Sequence, residues 1–121
     1  MKTKILFLFL ILLAFSVNVK AQLADKKYEI KLGEMGTFYI EFEESSYNLL
    51  NPMKDVMVKG NYRIENNILE FNDKEGPMAC IGSAGKYKFA LQNDELVLEL
   101  VEDDCTGRTQ MANVPWKEIK K

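Results

Sequence analysis

Cys80 and Cys105 bracket a stretch of chain that reads as one β-hairpin. Residues 85–91 alternate polar and apolar, Gln92-Asn93-Asp94-Glu95 is a turn, and residues 96–101 are rich in leucine and valine. Asn and Asp tolerate the positive φ angles that tight hairpin turns require. With Asn93-Asp94 at the tip, Leu91 faces Leu96, Phe89 faces Leu98 and Tyr87 faces Leu100. The same register carried outward sets Cys80 opposite position 107, two residues from Cys105. The two thiols therefore fall near the open ends of one hairpin, where a disulfide closes it.

The N-terminal residues 1–21 read as an export signal. Lys2 and Lys4 supply a positive start, residues 5–15 form an unbroken apolar run of eleven, and Val19 and Ala21 are small residues at −3 and −1 of a cleavage site before Gln22. A membrane-spanning helix needs about 20 apolar residues, so no stable membrane insertion is expected after cleavage. The expected mature domain is residues 22–121. Removing Lys2, Lys4 and Lys20 from the 16 basic residues leaves 13 against 18 acidic ones, a net charge of −5. Such a domain is a poor partner for nucleic acid. An even cysteine count in an exported chain, periplasmic or extracellular, favours a Cys80–Cys105 disulfide. Closing that loop stabilises by roughly 3 kcal/mol in the chain-entropy model.

The remainder has the texture of an all-β domain: short segments that alternate apolar with polar, separated by turn residues. In residues 36–43, Phe38, Ile40 and Phe42 share one face. Residues 28–32 alternate likewise, followed by a turn at 33–36. Residues 45–54 form a short strand or one helical turn. Residues 56–59 are a strand, and residues 60–65 and 68–72 are a hairpin around Asn66-Asn67. Gly60-Asn61-Tyr62-Arg63-Ile64 recurs weakly as Gly85-Lys86-Tyr87-Lys88-Phe89, as successive strands of a meander do. No helix of three turns can be placed. Residues 109–120 read as a loop, or one turn, leading to a last strand at 114–119. The count is seven or eight antiparallel strands, which shield their edges by curling into a small barrel or half-barrel.

Residues 60–116 resemble small exported lipocalin-like domains of bacteria. The resemblance rests on Gly60-x-Tyr62, Asn67-x-Leu69-x-Phe71-x-Asp73, Gly76-Pro77-x-Ala79-Cys80 and Gly85-x-Tyr87. It continues through Leu96-x-Leu98, Val101-x-Asp103-Asp104-Cys105-x-x-Arg108 and Trp116. It implies an antiparallel barrel of the calycin type and carries no agreed catalytic residues. By the same likeness, Arg108 stacks on Trp116 and closes one end of the barrel.

The chain has no histidine. That removes His-based triads, His-ligated zinc and His general-base chemistry. No Gly-rich phosphate loop is present. No catalytic residue, metal or cofactor is expected. Glu102-Asp103-Asp104 reads either as calcium-binding oxygens or as a solvated turn in which Arg108 neutralises one carboxylate. Phe38, Ile40, Phe42, Tyr62, Ile64, Leu69, Phe71, Tyr87, Phe89, Leu96, Leu98 and Leu100 are expected inside the barrel. An interior of that size either fills with side chains or holds one small ligand. In the second case Phe38, Phe42, Tyr62, Phe71, Tyr87 and Phe89 line the site, helped by adaptable methionines at 35, 53, 57, 78 and 111. Two functions follow: an exported binder of a small apolar ligand, or a non-catalytic structural or protein-interaction module with a solid core, such as an inhibitor or envelope accessory factor. A cavity of about 300 Å³ or more favours the first, and a filled core with an exposed apolar patch favours the second.

Overall fold

The computed structural model describes residues 22–120, so the expected export signal lies outside the described residues. Eight strands close into one antiparallel barrel: β1 (Lys27–Lys31), β2 (Thr37–Phe42), β3 (Ser46–Leu50), β4 (Val56–Glu65), β5 (Ile68–Glu75), β6 (Ala84–Gln92), β7 (Glu95–Glu102) and β8 (Trp116–Glu118). Each pairs with the next, and β8 pairs with both β7 and β1. Closure leaves no sheet-long edge to protect. Among the described residues no helix is long and apolar enough to cross a membrane.

The barrel has two unlike ends. One carries tight turns, where Asn66, Asn67, Asn93 and Asp94 have φ of 53°, 63°, 51° and 65°. The other carries the longer connections: a 3₁₀ turn (Gly33–Met35), residues 51–55, residues 76–83, and the segment holding α1 (Thr106–Ala112). This second end is the loop end. Trp116 on β8 donates its indole N–H to the Met111 carbonyl at 2.8 Å, fixing the last turn of α1 against the barrel.

The hairpin register is as the alternation implies, with Tyr87 opposite Leu100, Phe89 opposite Leu98 and Leu91 opposite Leu96. The disulfide Cys80–Cys105 is present, but not by extension of that register. The pairing shifts between Lys86 and Tyr87, and β6 begins only at Ala84. Cys80 sits in the β5–β6 connection and position 107 lies in α1, so the bond ties a loop to the start of a helix.

Of the two readings of residues 45–54, the short strand holds, as β3. Four further expectations change. Residues 56–65 form one continuous strand with a register shift at Lys59/Gly60. The segment expected to be a loop holds the two-turn helix α1, a short helix with Gly107 inside it whose buried residues are Met111 and Ala112. Leu100, expected inside, is 55% exposed, because β8 pairs with β7 only at Glu95 and Leu96 and ends well before Leu100. Phe89 and Ile64 are partly buried against the core rather than enclosed by it.

The interior is aromatic and closely packed. Phe42 meets Tyr62 at a centroid distance of 5.0 Å, and Phe71 meets Tyr47 at 5.2 Å and Tyr87 at 6.0 Å, all near edge-to-face. Such contacts add about 0.5–1.5 kcal/mol each beyond area burial.

A buried carboxylate knot beneath the disulfide

At the loop end the apolar interior gives way to a compact polar cluster. In β5, Leu69, Phe71 and Asp73 follow the inward alternation, so the strand delivers a carboxylate to the core face; Asp73 is 6% exposed. Tyr47 reaches it from β3 and donates its hydroxyl to Asp73 Oδ1. Asp73 Oδ2 accepts the backbone N–H of Cys80 at 2.8 Å.

A parallel arrangement surrounds Asp103, just past β7. Tyr87 donates its hydroxyl to Asp103 Oδ2, and the Cys105 N–H donates to Oδ1 at 2.9 Å. Each carboxylate thus receives one tyrosine hydroxyl and one cysteine N–H, and the two cysteines are bonded to each other.

Arg108, on the first turns of α1, joins the two halves. Its Nε and Nη2 donate to Asp103 Oδ2 and Oδ1, each at 2.7 Å, and Nη2 also donates to the Ser83 carbonyl at 2.6 Å. Its Nη1 lies 3.2 Å from Asp73 Oδ1 as an ion pair without hydrogen-bond alignment. The Asp103 side chain is fully enclosed and that of Arg108 is 11% exposed. The sequence reading of residues 102–104 as a solvated turn is therefore corrected at Asp103, whose oxygens are filled by protein donors. The expected stacking of Arg108 on Trp116 is replaced by this ion pairing: a planar guanidinium finds stronger partners in two buried carboxylates than in a ring face.

Two glycines make room for the knot. A Cβ on Gly60 would lie 2.6 Å from the Tyr47 hydroxyl and collide with the Asn72 carbonyl, and one on Gly85 would lie 2.7 Å from Arg108 Nε and collide with Asp103. The weak repeat of Gly-x-Tyr at 60–62 and 85–87 thus has a local physical cause in each copy.

Four groups of the cluster have shifted protonation equilibria. Burial raises the Tyr47 hydroxyl well above its ordinary value, and the hydrogen bond to Asp73 adds to this; Tyr87 is raised by burial and by Asp103 in the same way. Burial alone would push Asp103 up, but Arg108, Tyr87 and the Cys105 N–H outweigh it and hold the carboxyl below its usual range. Burial opposes the Arg108 charge, yet Asp103 and Asp73 raise its pKa further. These groups keep their protons or charges through neutral pH, which suits them to hold loops rather than to exchange protons. An Asp73 oxygen and the sulfurs of Cys80 and Cys105 lie within 4.8 Å of one another, but the sulfurs are spent on each other and offer no thiolate.

A cavity of about 50 Å³ lies against the knot, walled by Ile40, Tyr47, Leu49, Val58, Phe71, Asp73, Arg108, Met111 and Trp116. It has room for a few waters and for nothing of ligand size. Of the six side chains expected to line a ligand site, only Phe71 touches it. Phe38, Phe42, Tyr62 and Tyr87 are buried in the packed core and Phe89 sits at its margin. Arg108 and Trp116 do meet at this cavity.

The exposed apolar side chains gather outside. Met35, Met53, Met78 and Ile81 on the loop-end connections are 57%, 82%, 38% and 69% exposed. Met35, Met78, Leu32, Met111 and Val114 line a surface groove of about 400 Å³ beside α1. Three of the five methionines therefore display themselves on loops, Met57 is half-buried, and Met111 alone is enclosed.

Tyr47 and Asp73 were not singled out as a site by sequence reasoning, and Asp103 entered it only as one of the carboxylates of residues 102–104. The signal existed: alternation places Asp73 inward, and a buried carboxylate needs a partner. Comparison of the chain with protein-family models, with curated proteins and with solved structures returned no match.

Proposed function

We propose that this chain is a non-catalytic protein-interaction module: an exported, lipocalin-like barrel that serves as a rigid support for the apolar loops at one end. The observation that carries this reading is the contrast between inside and outside. The interior offers about 50 Å³, far below the roughly 300 Å³ of a small-molecule site, while methionines and Ile81 stand exposed on the loop end. The buried knot and the disulfide fit the same purpose, since they pin residues 76–83 and the start of α1 to the barrel and keep the display in place. Flexible methionines suit a surface that adapts to a protein partner. A carrier of a small apolar ligand is the second reading, and it draws on the cavity beside Trp116 alone.

The test is capture of a partner from the exported fraction of the source cells by cross-linking, comparing wild type with the double variant Met35→Glu, Met78→Glu. The reading predicts one stoichiometric partner, lost in the variant while Trp116 emission and melting temperature are unchanged. Equal capture by both proteins, or none by either, would overturn it.

A further inference from the structure

Five methionines lie in residues 22–121, and three of them meet at the groove beside α1. Met35, Met78 and Met111 reach it from three separate stretches: the 3₁₀ turn after β1, the β5–β6 connection and the last turn of α1. Met78 and Met111 also wall the small interior cavity, so these two side chains stand between cavity and groove. All three backbones are anchored. The Met35 N–H donates to the Leu32 carbonyl at 3.2 Å, and the Met78 N–H donates to the Met57 carbonyl at 3.1 Å. The Met111 carbonyl accepts the Trp116 indole N–H at 2.8 Å. Two residues beyond Met78, the disulfide ties its loop to the start of α1. The main chain therefore holds three thioethers around one groove, and each keeps the rotatable bonds with which to turn toward a common point.

The groove offers no hard anionic donor. Among the described residues that line it, no side chain is a carboxylate, and Gln110 brings a neutral amide. Its one charged group, Lys31, is 72% exposed and pairs with Glu29 at 3.8 Å. The chain has no histidine, and both of its cysteines are in the disulfide. Zinc takes imidazole, thiolate or carboxylate, and calcium and magnesium take oxygen, largely charged. Thioether sulfur is neutral and soft, and it suits Cu(I). It also survives where cysteines are oxidised to a disulfide. Ligand type and charge both point to a soft univalent cation, and the missing histidine that removes zinc does not remove this one.

We propose that Met35, Met78 and Met111 form a Cu(I) site with three thioether ligands in the groove beside α1. This goes beyond the interaction-module reading, and it needs no partner protein. The disulfide-intact protein is titrated under nitrogen with Cu(I) supplied as its acetonitrile complex, and the methionine ε-methyl resonances are followed by NMR. One equivalent should shift the methyls of Met35, Met78 and Met111 and leave those of Met53 and Met57 in place. In competition with a chromophoric Cu(I) chelator, the double variant Met35→Leu, Met78→Leu should bind at least about tenfold more weakly. Excess Zn²⁺ should neither shift the methyls nor displace Cu(I). Leucine keeps volume and apolarity, so the variant tests the sulfurs rather than the surface. The methyl shifts of the wild type decide the question even where the variant fails to fold. No saturable shift at one equivalent would overturn the proposal, as would shifts shared equally by Met53 or displacement of Cu(I) by Zn²⁺. Equal affinity of wild type and folded Leu variant would do the same. Cu(I) binding lost in the Leu variant with partner capture kept supports the site and leaves the interaction module standing. Cu(I) binding to a wild type that captures no partner keeps the site and removes the module.

Discussion

Arg108 grips Asp103 through two parallel hydrogen bonds, Nε to Oδ2 and Nη2 to Oδ1, each 2.7 Å long, with the carboxylate wholly enclosed. The residues stand five apart, across the turn from β7 into α1. The pair therefore sets where the helix begins, and with it the position of Cys105 and the cavity wall.

Breaking this clamp should be costly. Removing one partner of a buried ion pair leaves the other charge uncompensated, at about 3–5 kcal/mol. Asp103→Ala should lower unfolding free energy by that order in urea titration, while exposed Asp104→Ala should stay within about 0.5 kcal/mol. Arg108→Lys keeps the charge but loses the fork, and should fall between the two.

The ionisable groups fix the sign of the pH dependence. Asp103 has a folded pKa below its unfolded value of about 3.9. Its stabilisation is therefore complete above that unfolded value and is lost as pH falls through the folded one. Tyr28, Tyr47 and Tyr87 are raised by burial above the unfolded value of about 10, so their stabilisation is full below pH ~10 and is lost as pH rises toward the folded values. Absorbance titration near 295 nm should show these three tyrosines resisting ionisation past pH ~10 and then ionising together with loss of the folded signal. Smooth ionisation of all five tyrosines at pH ~10 in the folded chain would contradict their burial.

Gly60 and Gly85 should not accept even a methyl group. Forcing an extra carbon into a packed site costs about 1–3 kcal/mol. Gly60→Ala should cost more than Gly85→Ala, because it meets the Asn72 carbonyl as well as Tyr47, whereas Gly85 meets side chains. Gly107→Ala, with open space around its Cβ, should be neutral or stabilising in the α1 helix. Chemical denaturation of the three variants orders them.

The strands were legible because period-two alternation is a strong signal wherever one face is buried. Phe38, Ile40 and Phe42 on β2, and the β6–β7 register around Asn93-Asp94, follow from it directly. The helix α1 was not, since seven residues holding a glycine and two threonines have weak helix propensity. Tertiary contacts decide it, chiefly the Arg108 clamp and the Met111–Trp116 bond. The exposure of Leu100 was hidden for a related reason: alternation gives the direction of a side chain, but not whether a neighbouring strand ends before reaching it. The knot was half legible. Arg108 was paired from sequence with one carboxylate of the run 102–104, while the choice of Asp103 and the part played by Tyr47 and Asp73 depend on how the strands and α1 come together in the closed barrel.

The central claim is that the barrel interior is filled, and one titration bears on it most directly. The folded protein is titrated with an environment-sensitive apolar dye, read by dye emission and by Trp116 fluorescence. A cavity of about 50 Å³ cannot admit a dye-sized molecule, so no saturable one-to-one uptake and no shift of Trp116 emission are predicted. Uptake of one dye per chain with a change at Trp116, unaffected by Met35→Glu and Met78→Glu on the surface groove, would contradict the account and make the barrel a ligand carrier.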